Sequence, residues 1–310
     1  MGRWRYSLHT DKLTAAMQIA KRVYSLALEQ NDSALMIGAY RALAAPLYFS
    51  GDFETSRQYA MRGVQIWRLG GVQSSVEEVM SPAVVCMCFG ALSQWHFGEI
   101  ASSQAALAGG LSLAKELKDM YALGHVLWFA GFLGHFERNP AEVERVASDL
   151  IELGQNFASW LAGGEVLRGW ARSASGDTAE GISWILKGID DWRATGAMLL
   201  VPYLLALKAE ALYLAGRTSE ALKAIREAEA IAEEREERWW SAELYRLRGV
   251  FLAALGADET QIGASFSEAI KIAREQKSIS LEKRAEATYS EYRRQKASAS
   301  GGCGFRLPLC

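Results

Sequence analysis

The chain has 310 residues, of which 34 are Lys or Arg and 36 Asp or Glu, for a formal charge of −2; half are hydrophobic and 23% charged. That balance excludes a disordered chain and gives no general electrostatic pull toward nucleic acid or an anionic membrane. Only 5 prolines in an alanine-rich sequence point to helices, and the length suits either two domains or one elongated repeat domain.

In chain order, residues 1–10 read as the tail of a first helix whose beginning is missing. A weak turn at His9–Asp11 leads into a helix near 11–30. A second follows near 32–49, with Pro46 inside it as an expected kink. The turn SGDF (50–53) then opens a helix near 52–69. The same alternation recurs five more times. Helices are expected near 78–97 and 100–118 around FGEI (97–100), and near 119–137 and 140–155 around ERNP (137–140). SGDT (175–178) separates 156–175 from 178–195. AGRT (215–218) separates 199–215 from 218–235. LGAD (255–258) separates 237–255 from 259–276, and a last helix, 278–296, would cap the stack. The turn glycines sit where a helix ends in a left-handed residue. Asp52, Asn139, Thr178, Thr218 and Ser81 stand at N-cap positions, with Pro140 and Pro82 behind two of them. The turn positions 51, 98, 139, 176, 216 and 256 set a period near 40.

The helix after each turn repeats a small, large, small stripe at offsets of four and three. It reads Ser56, Ala60, Gly63; Ser103, Leu107, Gly110; Gly181, Ile185, Gly188; and Ala221, Ile225, Ala228. With one inserted residue it continues as Ile262, Phe266, Ala269. These offsets share one helix face, and small residues there let two helices approach closely.

These features resemble tetratricopeptide repeats with a lengthened period. Residues 1–296 are similar to the helical-repeat region that follows the ATPase module in large bacterial signalling ATPases, among them ATPase-linked adenylate/guanylate cyclases and transcriptional activators. The segments carrying the likeness are 47–67 (LYFSGDFETSRQYAMRGVQIW), 169–196, 202–222, 242–257 and 264–285. The resemblance implies a sensing or scaffolding arm and supplies no catalytic residue. No G-x-x-x-x-G-K-[ST] phosphate loop occurs in the sequence, so ATP binding does not carry over. With the missing first helix, this reads as a C-terminal piece or split product of a longer protein.

The expected fold is therefore all-α, a right-handed superhelix (α-solenoid) of about seven antiparallel helix pairs. Residues 1–296 form one domain and 297–310 a flexible tail. No apolar run approaches the roughly 18 residues of a membrane span. The polar, basic start lacks the apolar stretch of a secretory signal. Four scattered cysteines, Cys86, Cys88, Cys303 and Cys310, suit a reducing cytoplasm. His9, His96, His125 and His135 have no zinc spacing, so neither metal nor cofactor is expected. Nothing pairs a nucleophile with a base, and no enzyme is expected.

Binding candidates come from polar residues that interrupt the apolar first helices of the pairs. Glu165, Arg168 and Arg172 form one line, near Trp160. Tyr203, Glu210 and Tyr213 form a second, and Trp239, Glu243 and Arg246 a third. Three such lines could build one aromatic-edged trough on the concave face, the usual binding surface of a solenoid. Each also reads as a helix-surface ion pair. The expected role is a non-catalytic scaffold for a protein or peptide partner, an ATPase module in cis or trans among them, with pairing of two copies through the uncapped N-terminal end. The alternatives are a small-molecule sensor controlling an attached ATPase, cyclase or DNA-binding module, and a truncated remnant. A deep pocket among Trp160, Tyr203 and Trp239 would favour the sensor.

Overall fold

The computed structural model describes residues 2–70, 80–155 and 157–298. Among them are fifteen helices and no strand. The elements are α1 (Gly2–Thr10), α2 (Leu13–Gln30), α3 (Ser33–Ser50), α4 (Phe53–Gly70), α5 (Pro82–His96), α6 (Ile100–Glu116), α7 (Met120–Phe136) and α8 (Pro140–Gly154). They continue as α9 (Ala158–Ala174), α10 (Thr178–Ala194), α11 (Val201–Leu214), α12 (Thr218–Arg235), α13 (Ser241–Ala254), α14 (Glu259–Glu275) and α15 (Ile279–Ser298). The expected all-α solenoid is what these helices build. Helix α3 runs through Pro46 without ending. The expected tail with Cys303 and Cys310 lies outside the described residues, apart from its first two positions.

Composition sorts the helices into two layers. The odd-numbered helices from α3 to α13 are buried along most of their length; α5 buries nearly every residue. They pack successively on one another as an inner wall. The even-numbered helices bury one stripe and show the other face to water, and each packs between its two odd neighbours. All five small, large, small stripes are buried.

Gly51, Gly98, Gly176, Gly216 and Gly256 all adopt positive φ. In the ERNP turn the left-handed residue is Arg138 (φ 56°), which must tolerate a conformation that disfavours a Cβ. Asp52 and Asn139 cap as expected, each accepting from the amide three residues on at 3.0 and 3.1 Å. Thr178 and Thr218 do not cap. Asp177 accepts from Glu180 N at 3.2 Å instead, and the α12 cap position is Arg217, whose guanidinium forks onto Glu220. Ser81 likewise leaves its hydroxyl out of the cap, and its N–H donates to Asp119 at 2.6 Å.

The superhelix closes on itself. The carbonyl of His9, at the end of α1, accepts from Met198 N and Leu199 N at 2.9 and 3.2 Å. The carbonyl of Phe49, at the end of α3, accepts from Arg238 N and Trp239 N at 2.8 and 3.1 Å. That of Trp95, at the end of α5, accepts from the Ser280 hydroxyl at 2.5 Å. Each contact links an inner helix to the start of the fifth inner helix beyond it, α1 to α11, α3 to α13 and α5 to α15. One superhelical turn is thus complete, and Arg235 reinforces the seam by donating to the carbonyls of His9, Thr10 and Asp11.

Closure fills most of the lumen with rings. Trp239 lies 5.5 Å from Tyr48, 5.7 Å from Phe132 and 5.2 Å from Tyr203, centroid to centroid. Trp240 stacks on Phe136 at 4.7 Å. Such clusters add about 0.5–1.5 kcal/mol per ring pair beyond burial.

Candidate functional site

The three polar lines do not meet in an open trough. Glu165, Arg168 and Arg172 face the outer layer: Lys187 of α10 donates to Glu165 at 2.6 Å, and Arg168 and Arg172 reach Glu144 of α8 at 3.5 and 3.2 Å. Tyr203, Glu210, Trp239, Glu243 and Arg246 are each 1% exposed or less. They lie inside the closed lumen. Tyr213 is half-buried against Phe251.

Inside the lumen the carboxylates find partners far away in sequence. Arg138 bridges Glu210 of α11 at 2.5 Å and Glu243 of α13 at 2.7 Å. Arg246 donates twice to Glu243 at 2.8 and 2.9 Å, and Arg284 of α15 approaches it at 3.4 Å. Burial alone would raise both carboxyls. The guanidiniums win, holding Glu243 down to about 2 and Glu210 well below the usual carboxylate range. Glu210 accepts from Trp170 Nε1 at 2.9 Å, while His135 Nε2 lies 3.3 Å from Glu210 and 3.2 Å from Arg138, and its Nδ1 lies 2.9 Å from the Tyr203 hydroxyl, so the tautomer of the ring decides which of these it donates to. The chain Tyr203, His135, Glu210 has the connectivity of an acid–base relay, yet all three are fully buried. Through Trp170 of α9 and Arg138, which also holds Glu243 of α13, it links α7, α9, α11 and α13.

What does open into the lumen is a cavity of about 430 Å³ near its α1 end. Five inner helices and the α10–α11 loop wall it. Helix α1 contributes Trp4 and Arg5, α3 contributes Arg41, α5 Phe89, α7 His125 and Trp128, and α9 Trp160. Trp160 is thus the one candidate of the trough that faces this cavity; Tyr203 and Trp239 do not line it.

Glycines set its walls. A Cβ on Gly124 of α7 would lie 2.6 Å from Nε1 of Trp160, so α9 can seat its indole against α7 only because that Cβ is missing. Trp128 stacks on Trp192 at 5.8 Å, and Trp192 is fixed by donating to Leu199 O at 3.1 Å. His125 packs on Phe129 at 4.5 Å.

The polar groups of the cavity are distinctive. Trp4 Nε1, Trp128 Nε1 and His125 Nε2 are buried and have no hydrogen-bond partner among the described residues. Buried polar atoms are rarely left so. The guanidinium of Arg41, a 2% exposed residue, lies over the Trp4 ring at 5.1 Å. Arg5 is half-buried beside it on the lining. Burial, with Arg41 nearby, drops His125 to about 3; burial, with Arg5 and Arg235, drops His9 to about 4. Both imidazoles are neutral at neutral pH. No Asp or Glu is among the described lining residues. The sequence carries one signal for this site, Arg41, a charge inside the apolar run of α3; Trp4, His125 and Trp128 carry none.

Among the described residues no group of His, Cys, Asp or Glu is arranged to hold a metal. No described helix is long and apolar enough to cross a membrane. Cys86 and Cys88 are both buried.

A family model, anaphase-promoting complex subunit 5, matches residues 84–136, 201–240 and 245–291. An uncharacterized protein of Rhizobium meliloti is 26% identical over 162 residues, which is 52% of this chain and 16% of that far longer protein. The fold is shared with solved helical-repeat proteins. A Rap conjugation gene regulator of plasmid pLS20 in complex with the Phr* peptide has a TM-score of 0.59 at 8% identity, covering 87% of this chain and 78% of its own. A Rap protein complexed with Competence and Sporulation Factor gives 0.56 at 10%, with coverages of 85% and 76%. PlcR of Bacillus thuringiensis, in complex with the peptide PapR7 and DNA, gives 0.52 at 14%, with coverages of 92% and 100%. The chain has the tetratricopeptide-like helical-repeat fold.

Proposed function

We propose that this chain is a non-catalytic recognition domain that takes a ligand into the cavity at the α1 end of its lumen and serves as the sensing arm of a larger regulatory protein. One observation carries the reading: in a lumen otherwise packed with rings, the remaining space gathers the indole and imidazole nitrogens of Trp4, Trp128 and His125, which find no partner within the described chain. Pockets of about 300–1,000 Å³ with a few convergent polar groups are where ligands bind. The much longer Rhizobium relative and the likeness to ATPase-linked repeat regions support placement beside another module, such as an ATPase, a cyclase or a DNA-binding domain. The peptides held by helical-repeat proteins of this fold support recognition as its use.

The test is intrinsic tryptophan fluorescence and thermal shift of the full chain against a library of metabolites and short peptides. It is repeated with Ala158→Trp, which places a large ring on an exposed lining position. A ligand that raises Tm in the parent and loses binding in the variant supports the cavity. Ligands that bind both equally well would sink it.

A second reading, a protein partner, is favoured by a polar groove of about 1,070 Å³ where α4 meets α12–α14. It carries both signs of charge, Asp52 and Glu233 against Arg226 and Lys271. Loss of a co-purifying partner in Arg226→Glu with Lys271→Glu, at unchanged Tm, would select this reading.

A further inference from the structure

Three half-buried tyrosines, Tyr24 of α2, Tyr40 of α3 and Tyr59 of α4, pack ring to ring with centroids 5.8, 6.3 and 5.8 Å apart. We infer that the tyrosine-floored channel between α2 and α4 docks an acidic amphipathic helix of a partner protein. None of the three rings lines the cavity or the polar groove, so this is a separate surface.

The channel follows from two matched stripes. Met17, Lys21, Tyr24 and Leu28 recur on α2 at offsets of four, three and four, and Tyr59, Arg62 and Ile66 on α4 at three and four. Such offsets share one helix face. Both helices pack on α3, and the ring contacts turn the two faces toward each other over Tyr40. From Met17 to Leu28 the channel runs about 16 Å, three turns of helix. The partner follows from what is left unmatched. Elsewhere the protein closes the gaps of its outer layer itself, with an arginine of the inner helix between. Arg168 of α9 reaches Glu144 of α8 and lies over Trp184 of α10. Arg248 of α13 reaches Glu229 of α12 and Ser265 of α14. Between α2 and α4 the inner helix offers Tyr40 instead, and the bases stand on the walls. Lys21 and Arg62 are exposed, no acid lies within four residues of either in sequence, and neither forms an ion pair among the described residues. The Arg62 guanidinium lies 5.8 Å over the Tyr59 ring, and Leu28 is 54% exposed. A partner that covers this face must bring apolar side chains to the rings and Leu28, and carboxylates to Lys21 and Arg62. Tyrosine and arginine carry much of the energy at interfaces, and an amphipathic helix lays anchors at such spacings into a groove. Two bases are too few for a surface that follows a phosphate backbone.

The experiment uses the full chain and labelled peptides of about five helical turns. One sets Leu on one face and Glu on the other, a second has Lys in place of Glu, and a third scrambles the Leu and Glu order. Vesicles of phosphatidylglycerol are a fourth probe. Fluorescence anisotropy gives the peptide affinities, and sedimentation reads the vesicles. We expect the acidic helix to bind at least about tenfold more tightly than either other peptide, and to weaken as salt rises. Lys21→Glu with Arg62→Glu, both exposed, should remove that preference at unchanged Tm. Leu28→Ser should weaken the acidic helix about threefold or more, whereas Ala158→Trp in the cavity should leave it unaltered. Equal affinity for the three peptides, or a preference that survives in the double variant, would overturn the site. Binding to vesicles and to no peptide would overturn it in favour of a lipid surface. Failure of every probe to bind would overturn it outright.

Discussion

The indole of Trp128 occupies the space that a side chain on Gly163 would need: a Cβ there would lie 2.6 Å from Cζ3 of the ring. The relationship is reciprocal, because Trp160 of α9 stands in the same way over Gly124 of α7. Two helices exchange their tryptophans across two glycines, and both rings end on the cavity. Gly163→Ala and Gly124→Ala should therefore overpack the α7–α9 contact by about 1–3 kcal/mol despite the better helix propensity of alanine. Urea unfolding measures the loss. A gain in stability in both variants would refute the close approach.

Arg138 sits in a strained left-handed turn and serves two buried carboxylates. Arg138→Met strips Glu210 and Glu243 of a shared counter-charge, and breaking a buried pair in this way costs about 3–5 kcal/mol. Glu243→Ala with Arg246→Ala should also destabilise, since it leaves Arg138 and Arg284 facing a site without Glu243. An unchanged melting temperature in either variant would show that the network does not hold the lumen.

Buried titrating groups give the protein an uneven pH profile. His9, His125 and His135 are depressed from 6.5 to about 4, 3 and 4, chiefly by burial. The unfolded chain then binds more protons than the folded one below pH 6.5, so stability falls as pH drops from there toward 4. Glu243, depressed to about 2, adds a second loss as pH falls from its ordinary 4.5. Glu237 acts in the opposite sense. Burial lifts it to about 7 against the pull of Trp239 Nε1, Leu200 N and Arg235, so its contribution is full below 4.5 and lost as pH rises to 7. Glu237→Gln should gain on the parent in Tm between pH 5 and 8. A Tm difference that stays flat over that range would contradict the assignment.

Arg235 fastens α1 to the far side of the ring through three carbonyls. Arg235→Met should release α1 locally. Hydrogen exchange is expected to quicken in residues 2–12 and ligand affinity to fall, with most of the helical signal kept, because α1 supplies Trp4 and Arg5 to the cavity. Unchanged exchange in α1 would place its anchorage elsewhere.

The helices were legible because local rules agree at most of the pairs. A left-handed glycine ends one helix and a 3.6-residue stripe defines the next. Gly181 shows how tight the stripe is, since a Cβ there would lie 2.1 Å from Ser173 Oγ. Gly181→Trp should accordingly lower Tm sharply, and Ala221→Trp likewise. The lumen was not legible. The inner helices are apolar on nearly every face, so periodicity does not say which side of α11 or α13 turns inward. Glu210 and Glu243 looked like groove residues because their partner, Arg138, lies 72 and 105 residues away. Such pairings depend on how many helix pairs complete a turn, and no local pattern encodes that number.

The seam fixes that number at five. Arrays of this kind commonly lengthen or shorten by whole repeats without penalty at a distance. Here one helix pair gained or lost between α5 and α11 would carry His9, Phe49 and Trp95 past their donors together. The domain is built like a split ring whose ends must meet in register, and its length is held by its circumference.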